Sequence, residues 1–242
     1  PALEYMRDEL ASFFSNNRIQ SETPQILGTP RRLVVSVKGV DALQEDSVDL
    51  FHGPTVSVAF DDKGEPTKAA IGFALGKGLD VSALTRESTP KGEVVCARVE
   101  KKCRPTLEHL NEFLPQFIGN IPFPKKMRWG SKARHFARPL HWIAAIFDGK
   151  PIQFSFDGIA CGDFSLGHRF LKPDKFQVKN LSSYMEQSAN HYLMVDPELR
   201  KQKILEQVQN LAREAGGSVE EDLDLLNVVN YLVEYPVAIR GD

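Results

Sequence analysis

The sequence predicts an α+β fold of mixed sheets and packed helices. Residues 2–15 repeat apolar side chains at helical spacing, which predicts an amphipathic helix. Residues 152–156 alternate apolar and polar side chains as a strand does, and they follow the turn dipeptide Asp148-Gly149, which predicts a β-hairpin. Asp196-Pro197 joins an N-cap carboxylate to a proline at the first helical position, so a helix is predicted over 197–215.

The remaining elements follow from the same patterns. Pro115 is expected to end or kink the helix that precedes it. Further helices are predicted over 67–77, 106–114, 179–190 and 222–233, and strands over 33–37, 93–99, 140–147, 192–195 and 237–239, with two short β runs over 48–61. We expect two regions, an α+β region over 1–178 and a helix-rich α+β extension over 179–242 that is truncated at its C-terminal end.

The composition limits which classes of protein and of binding site are expected. A chain of 242 residues with 42% apolar content can bury a sizeable core. Its three cysteines form no CxxC pair, and its six histidines lack metal-ligand spacing, so neither a disulfide scaffold nor a metal site is expected. The longest uninterrupted apolar run, Trp142–Phe147, is far too short to span a bilayer, so no membrane is expected as a partner.

Positive charge is concentrated in one part of the chain. Residues 101–172 carry 12 Lys/Arg against 5 Asp/Glu, although the whole chain has a formal net charge of −2. The densest part is 121–142, IPFPKKMRWGSKARHFARPLHW, where aromatic rings are interleaved with the basic residues Lys125, Lys126, Arg128, Lys132 and Arg134. Such a mixture suits a phosphate backbone and unstacked bases, and Trp129 is the candidate ring for stacking.

A second interpretation of this segment stays open. Prolines and Gly130 argue against a continuous helix, so Lys125 to Ala137 is predicted to be an ordered basic loop. Such a loop can also be a solvated surface whose aromatic rings are tucked into the core.

Motifs for catalysis are missing from the sequence. It contains no GxSxG, HExxH or DxDxDG string. The carboxylates at 220–224 precede a predicted helix, where they favour its dipole. We therefore expect no catalytic residue, no metal and no cofactor in this chain.

Several long strings together resemble one protein family. They are TPRRLVV at 29–35, AAIGFALGKG at 69–78, IPFPKKMRWG at 121–130, FARPLHWIAAIF at 136–147, GHRFL at 167–171 and NYLVEYPVAIRGD at 230–242. In this order they are similar to the N-terminal part of the β subunit of bacterial heterotetrameric glycyl-tRNA synthetase. The resemblance implies that the chain is a fragment, because an opening strand and everything after the last string are missing.

The resemblance also implies a function. The assembly would be a glycine–tRNA ligase, converting ATP, glycine and tRNA(Gly) to glycyl-tRNA, AMP and diphosphate in the cytoplasm. Its adenylate-forming site, with ATP and Mg, would lie on the separate α subunit of a heterotetramer of two α and two β subunits. This chain would be a tRNA-binding, accessory part, inactive alone, with residues 1–178 similar to the B3/B4-type domain of phenylalanyl-tRNA synthetase. The alternatives are a stand-alone RNA-binding module and an editing-type hydrolase of aminoacyl-tRNA.

Two hypotheses remain for the GHRFL string. His168 and Arg169 could contact a phosphate or a base edge, because a guanidinium can bond to a phosphate through two N–H groups. Alternatively, His168 caps a turn and Arg169 pairs with an acid.

Overall fold

The computed structural model describes residues 1–90, 92–101, 103–130 and 134–241. Its helices, in chain order, are α1 Ala2–Asn16, α2 Val56–Ala59, α3 Lys68–Gly76, α4 Thr106–Asn120, α5 Leu181–Asn190, α6 Pro197–Glu214 and α7 Leu223–Asn230. Its strands are β1 Gln25–Thr29, β2 Arg32–Ser36, β3 Ser47–Thr55, β4 Thr85–Thr89, β5 Gly92–Lys101, β6 Met127–Arg128, β7 His135–Phe136, β8 Ile143–Ala144, β9 Ile146–Phe147, β10 Lys150–Pro151, β11 Ser155–Phe156, β12 Ile159–Gly162, β13 Phe164–Leu166 and β14 Lys175–Gln177. These helices and small sheets, most of them antiparallel, confirm the α+β prediction.

The chain forms two compact units. Unit 1 comprises Pro1–Ala42 and Thr106–Asp242, and unit 2 comprises Leu43–Pro105. The boundary predicted between residues 178 and 179 stays a prediction.

Unit 2 is built on an antiparallel sheet in the order β3–β5–β4. The central strand β5 buries Val95 against Ala59 of α2 and Ala70 of α3. A register shift in β3 lies between His52 and Thr55. The second β run predicted within 48–61 is wrong, because the chain turns into α2 after Thr55 and packs Ala59 into this core.

The first core of unit 1 lies between α1 and α4. Helix α1 buries Met6, Leu10, Phe13 and Phe14, as its periodicity predicts. The ring of Phe13 stacks on that of Phe113 in α4, with centroids 4.0 Å apart.

Helix α4 continues past Pro115 to Asn120, so the predicted helix end at residue 114 is wrong, whereas the alternative that Pro115 kinks the helix stays a prediction. A proline removes one helical hydrogen bond. The next turn continues because it carries Phe117 into the buried core, and packing outweighs local propensity.

The predicted hairpin is confirmed at its turn. Strands β9 and β10 pair antiparallel, and Asp148 and Gly149 take φ values of 48° and 72°, the left-handed pair that a two-residue type I′ turn requires. Side chains alternate beyond it as predicted, with Ile152 and Phe156 buried and Gln153 exposed. The strand predicted over 140–147 is broken into the two-residue strands β8 and β9, and of the strand predicted over 152–156 only the last two residues form a strand, β11.

The second core of unit 1 joins β1 to the helices of the C-terminal third. Its buried members are Leu27, Phe176, Tyr184, Leu193 and Val195. The helix starts are confirmed: Asn180 caps α5, Asp196 accepts the amides of Glu198 and Leu199 at the start of α6, and Asp222 caps α7.

Two strands predicted in this region are wrong for the described residues. Residues 192–195 take part in isolated long-range backbone hydrogen bonds that form no ladder. The amide of Gly28 donates to the carbonyl oxygen of Val195, and the amide of Met194 donates to that of Glu234. Residues 237–239 lie in no strand, and Val237 and Ile239 are exposed. Among the described helices, none combines the length and the apolar composition needed to cross a membrane.

Candidate nucleic-acid interface

The densest basic segment forms a short hairpin in unit 1. Strands β6 and β7 pair antiparallel, with Met127 opposite Phe136 and Arg128 opposite His135. Within the ordered basic loop predicted over 125–137, four of the described residues thus pair as a small ladder. Lys125, Lys126 and Arg128 are exposed on it, as a phosphate contact requires. Lys132 lies within 131–133, outside the described residues.

Aromatic side chains anchor this hairpin. The indole Nε1 of Trp129 donates a hydrogen bond to the carbonyl oxygen of Phe136 at 3.0 Å. The ring of Phe136 meets that of Phe123 edge to face at 4.8 Å, and both pack against the first core. Trp129 is half-buried, so it is partly structural and partly open to a partner.

A small cleft of about 260 Å³ lies beside Trp129. The guanidinium of Arg134 lies 5.4 Å from the ring centroid of Phe156 on its wall. Arg138 also lines the cleft and is exposed, and no ion pair of Arg138 is found with any described residue. Flat rings beside guanidinium groups offer both stacking and phosphate contacts.

The GHRFL segment is a tight turn. The amide of Gly167 donates to the carbonyl oxygen of Asp174, and a Cβ at this position would lie 2.0 Å from the carbonyl oxygen of Lys172. Nδ1 of His168 accepts the amides of Phe170 and Leu171 at 3.3 and 3.2 Å. Since that nitrogen is an acceptor, His168 caps the turn, and only its other ring nitrogen is available to donate.

Arg169 and Phe170 form the exposed tip of this turn. The guanidinium of Arg169 lies 5.4 Å from the ring centroid of Phe170, and Phe170 is 80% exposed. Among the described residues, Arg169 has no acidic partner, so the ion-pair hypothesis for Arg169 is not supported. The sequence singled out His168 and Arg169 but missed Phe170, which adds a second candidate stacking surface.

A buried polar network supports the turn from behind. Arg32 pairs with Glu234 and donates through Nη2 to the carbonyl oxygens of Leu166 and Gly167 at 2.7 and 2.9 Å. Arg32 is therefore unavailable for phosphate. Both residues stand in strings noted in the sequence, but nothing local marks them as partners.

Arg200 of α6 is a second buried cation. It is fully buried and donates to the carbonyl oxygens of Gly28, Met194 and Asn230. These bonds connect α6 to β1, to the segment that precedes α6 and to the last residue of α7. Burial lowers the pKa of Arg200, and Tyr231 and Glu234 oppose this shift. A guanidinium stays protonated in proteins, so Arg200 acts as a charged clamp on carbonyl dipoles.

One larger concavity is unsuited to nucleic acid. It measures about 700 Å³ and is lined by Glu220, Glu221, Asp222, Leu223 and Asp224. Its carboxylates repel phosphate, and Asp222 is already used as the helix cap. Among the described residues, the basic hairpin and the GHRFL turn therefore remain the candidate surfaces for a nucleic acid.

Comparison with known proteins gives one consistent result. A family model described as glycyl-tRNA synthetase beta subunit matches residues 1–242. A glycine–tRNA ligase beta subunit of Geobacter metallireducens is 44% identical over 240 residues, which cover 99% of this chain and 35% of that protein. One from Citrifermentans bemidjiense is 47% identical over 228 residues, which cover 94% of this chain and 33% of that protein. The chain thus spans about a third of the length of these curated relatives.

Proposed function

The chain belongs to the glycyl-tRNA synthetase β-subunit family, and on that premise we propose that it is a tRNA-binding, accessory part of a glycine–tRNA ligase. The observation that carries the binding role is the exposed basic hairpin, with Lys125, Lys126 and Arg128 beside the aromatic cleft. Exposed cations release condensed counterions when they neutralise phosphates, so this surface favours a nucleic acid.

The proposed reaction joins glycine to tRNA(Gly) with conversion of ATP to AMP and diphosphate. We place ATP, Mg and the activation of glycine on a separate α subunit, in a cytoplasmic assembly of two α and two β subunits. The names of the relatives, beta subunits of a ligase, support an α partner. This chain supplies positive charge and flat rings that hold the tRNA.

Each part of the surface has a role in this proposal. The hairpin lysines and Arg128 contact backbone phosphates, and Arg134 follows the backbone along the cleft. The tip formed by Arg169 and Phe170 offers a guanidinium for a phosphate and a ring for an unpaired base. His168 holds the backbone of this tip through its ring nitrogen.

The proposal extends to the fold of residues 1–178, as a region similar to the B3/B4-type tRNA-interacting domain. The α+β architecture with several small sheets is compatible with this likeness. An experimental structure of the αβ assembly with tRNA tests it, because the hairpin 125–136 and the turn 167–171 must then face RNA.

The division of labour is tested by activity. The chain alone is expected to give no glycine-dependent ATP–pyrophosphate exchange, whereas the αβ assembly gives exchange and charges tRNA(Gly). Exchange by a preparation free of α subunit would overturn the proposal. Equal affinity of the assembly for tRNA(Gly) and for unrelated single-stranded RNA would favour a general RNA-binding module instead.

A further inference from the structure

Three side chains that could bind a metal ion lie on one face of the sheet in unit 2. In the register of β3–β5–β4, His52 lies opposite Cys96, and Cys96 also lies opposite Thr85. Residues directly opposite one another project to the same face, and so do residues two apart on one strand. His52, Cys96 and Glu87 therefore project together, each from a different strand.

The distances between their polar atoms are short. Nε2 of His52 lies 3.1 Å from Oε2 of Glu87, and Sγ of Cys96 lies 3.4 Å from the same oxygen. The three candidate ligand atoms lie within 4.8 Å of one another. Zinc binds nitrogen, oxygen and sulfur at about 2.0–2.3 Å, so tetrahedral ligands lie about 3.3–3.7 Å apart. Two of the three separations, 3.1 and 3.4 Å, already lie near this spacing, and rotation of the exposed His52 side chain can adjust its distance to the sulfur.

We propose that His52, Glu87 and Cys96 form a binding site for a zinc-like divalent transition-metal cation. The ligand set is one nitrogen, one oxygen and one sulfur. The sulfur selects against magnesium and calcium, which prefer oxygen, and three protein ligands leave a fourth position open. The charges also balance, because a carboxylate and a thiolate together neutralise a divalent cation beside a neutral imidazole.

The three side chains of the site differ in their exposure to solvent. Cys96 is fully buried, whereas the side chains of His52 and Glu87 are 53% and 48% exposed. The opposite face of the same strand packs Val95 into the core of unit 2, which fixes the backbone beneath the sulfur. A cation can therefore enter between His52 and Glu87, and its open position faces water.

The same geometry argues against a nucleophilic cysteine. The thiol of Cys96 donates to the carboxylate of Glu87, an anion that repels a thiolate. Burial raises the pKa of the Cys96 thiol, and the Glu87 carboxylate raises it further. The raised pKa disfavours the thiolate unless a cation is present. Arg98, two residues further on the same strand, is the nearby cation that adds a weak attraction to Glu87.

This inference is independent of the tRNA role, and sequence patterns could not show it. His52 and Glu87 lie 35 residues apart, and Glu87 and Cys96 lie nine apart, spacings that match no zinc motif. Only the pairing of three strands brings them together.

Cobalt(II) and zinc titrations test the site. The full chain, without a tag and stripped with a chelator, is titrated with Co²⁺ under a phosphine reductant. We expect one equivalent to bind with a thiolate-to-cobalt charge-transfer band in the near ultraviolet, and Zn²⁺ to displace it. His52→Asn and Glu87→Gln each remove an exposed ligand and should weaken Co²⁺ binding by at least about tenfold. Mutation even of groups that only hydrogen-bond to metal ligands typically lowers metal affinity about 10–100-fold.

Matched cysteine variants identify the sulfur. Cys103→Ser and Cys161→Ser should keep the band, whereas Cys96→Ser should abolish it. Because Cys96 is buried, its replacement can also unfold the sheet, so circular dichroism is recorded for each protein and the His52 and Glu87 variants carry the test. No band in the unaltered chain, or equal Co²⁺ affinity in the His52→Asn and Glu87→Gln variants, would overturn the proposal.

Discussion

Arg32 and Glu234 lie 202 residues apart in the chain and form an ion pair whose side chains are only 4% and 5% exposed. The hydroxyl of Thr29 donates to the same Glu234 oxygen at 2.6 Å. Arg32 also holds the carbonyl oxygens of Leu166 and Gly167, so the pair joins the first hairpin and the C-terminal segment to the GHRFL turn. We infer that this network positions the tip of the turn.

Breaking the pair should be costly. Arg32→Met leaves the buried Glu234 carboxylate with the more distant Arg31, whose Nε lies 3.9 Å from its Oε2, in place of the close pair. Glu234→Gln leaves the buried Arg32 guanidinium without a carboxylate partner. Each change is expected to lower the free energy of unfolding by about 3–5 kcal/mol. Urea unfolding followed by circular dichroism measures both, and the double variant should lose less than the sum of the single losses.

An exposed pair supplies the control. Nε of Arg7 lies 3.0 Å from Oδ1 of Asp8, with side chains 50% and 68% exposed. Asp8→Asn should change the free energy of unfolding by about 0–1 kcal/mol, because water screens this pair. Additive losses at Arg32 and Glu234, or losses as small as that of Asp8→Asn, would contradict the prediction.

Gly167→Ala should destabilise unit 1. The added Cβ would lie 2.0 Å from the carbonyl oxygen of Lys172, and a backbone atom cannot rotate away. Overpacking of this kind costs about 1–3 kcal/mol, so Tm should fall by several degrees in a thermal melt. Gly76→Ala is the matched control, since nothing lies within 4 Å of a Cβ there. Equal Tm values for the two variants would show that the turn relaxes.

Local chemistry explains which elements the sequence predicted well. Asp196-Pro197 and Asp148-Gly149 determine a helix start and a hairpin turn through contacts within a few residues, and both are present. Pro115 shows the opposite case, because its helix continues on account of packing against α1, which the local sequence does not show. The apolar run 237–239 similarly predicted a strand where the structure has exposed side chains.

The candidate site also has parts that the local sequence predicts and parts that it does not. The sequence located the basic segment, since a run of like charges is visible without knowing the fold. It could not show that Arg32 is buried, because the partner of Arg32 lies at the other end of the chain. Nor could it show that Phe170 is exposed, because an aromatic residue is expected in a core and only the tight turn prevents this.

Phe170→Ala should weaken tRNA binding without weakening the fold. The ring is 80% exposed, so its removal leaves Tm unchanged, whereas loss of a stacked base costs about 1–3 kcal/mol of tRNA affinity. Filter binding of tRNA(Gly) to the αβ assembly measures the effect. Leu75→Ala removes another apolar side chain, 70% exposed, as the control. Unchanged affinity of the Phe170 variant would exclude this ring from the interface.

Trp129 requires two variants, because its ring and its N–H group have different partners. Trp129→Phe keeps a ring but removes the hydrogen bond to Phe136, whereas Trp129→Ala removes both. If a base stacks here, the Ala variant loses about 1–3 kcal/mol of tRNA affinity and the Phe variant keeps most of it. Equal affinities of both variants and the unaltered chain, with a lower Tm, would show that Trp129 only holds the hairpin.

The salt dependence of tRNA binding tests the hairpin lysines most directly. Lys125 and Lys126 are both exposed, so the double variant Lys125→Ala/Lys126→Ala removes two positive charges and little packing. For every phosphate that is no longer neutralised, the slope of log affinity against log salt should flatten by about 0.7–0.9, because fewer counterions are released. The αβ assembly is titrated with tRNA(Gly) at several salt concentrations.

A second lysine pair separates local contact from net charge. Lys63→Ala/Lys68→Ala removes the same charge from exposed positions in unit 2. If the hairpin binds phosphates, only the Lys125/Lys126 variant flattens the slope, and its affinity falls most at low salt, where counterion release contributes most. If net charge alone attracts the tRNA, both pairs weaken binding equally. Parallel slopes and equal affinities for the unaltered assembly and the Lys125/Lys126 variant would mean that this hairpin faces solvent or another subunit, and the RNA would then bind elsewhere on the β subunit.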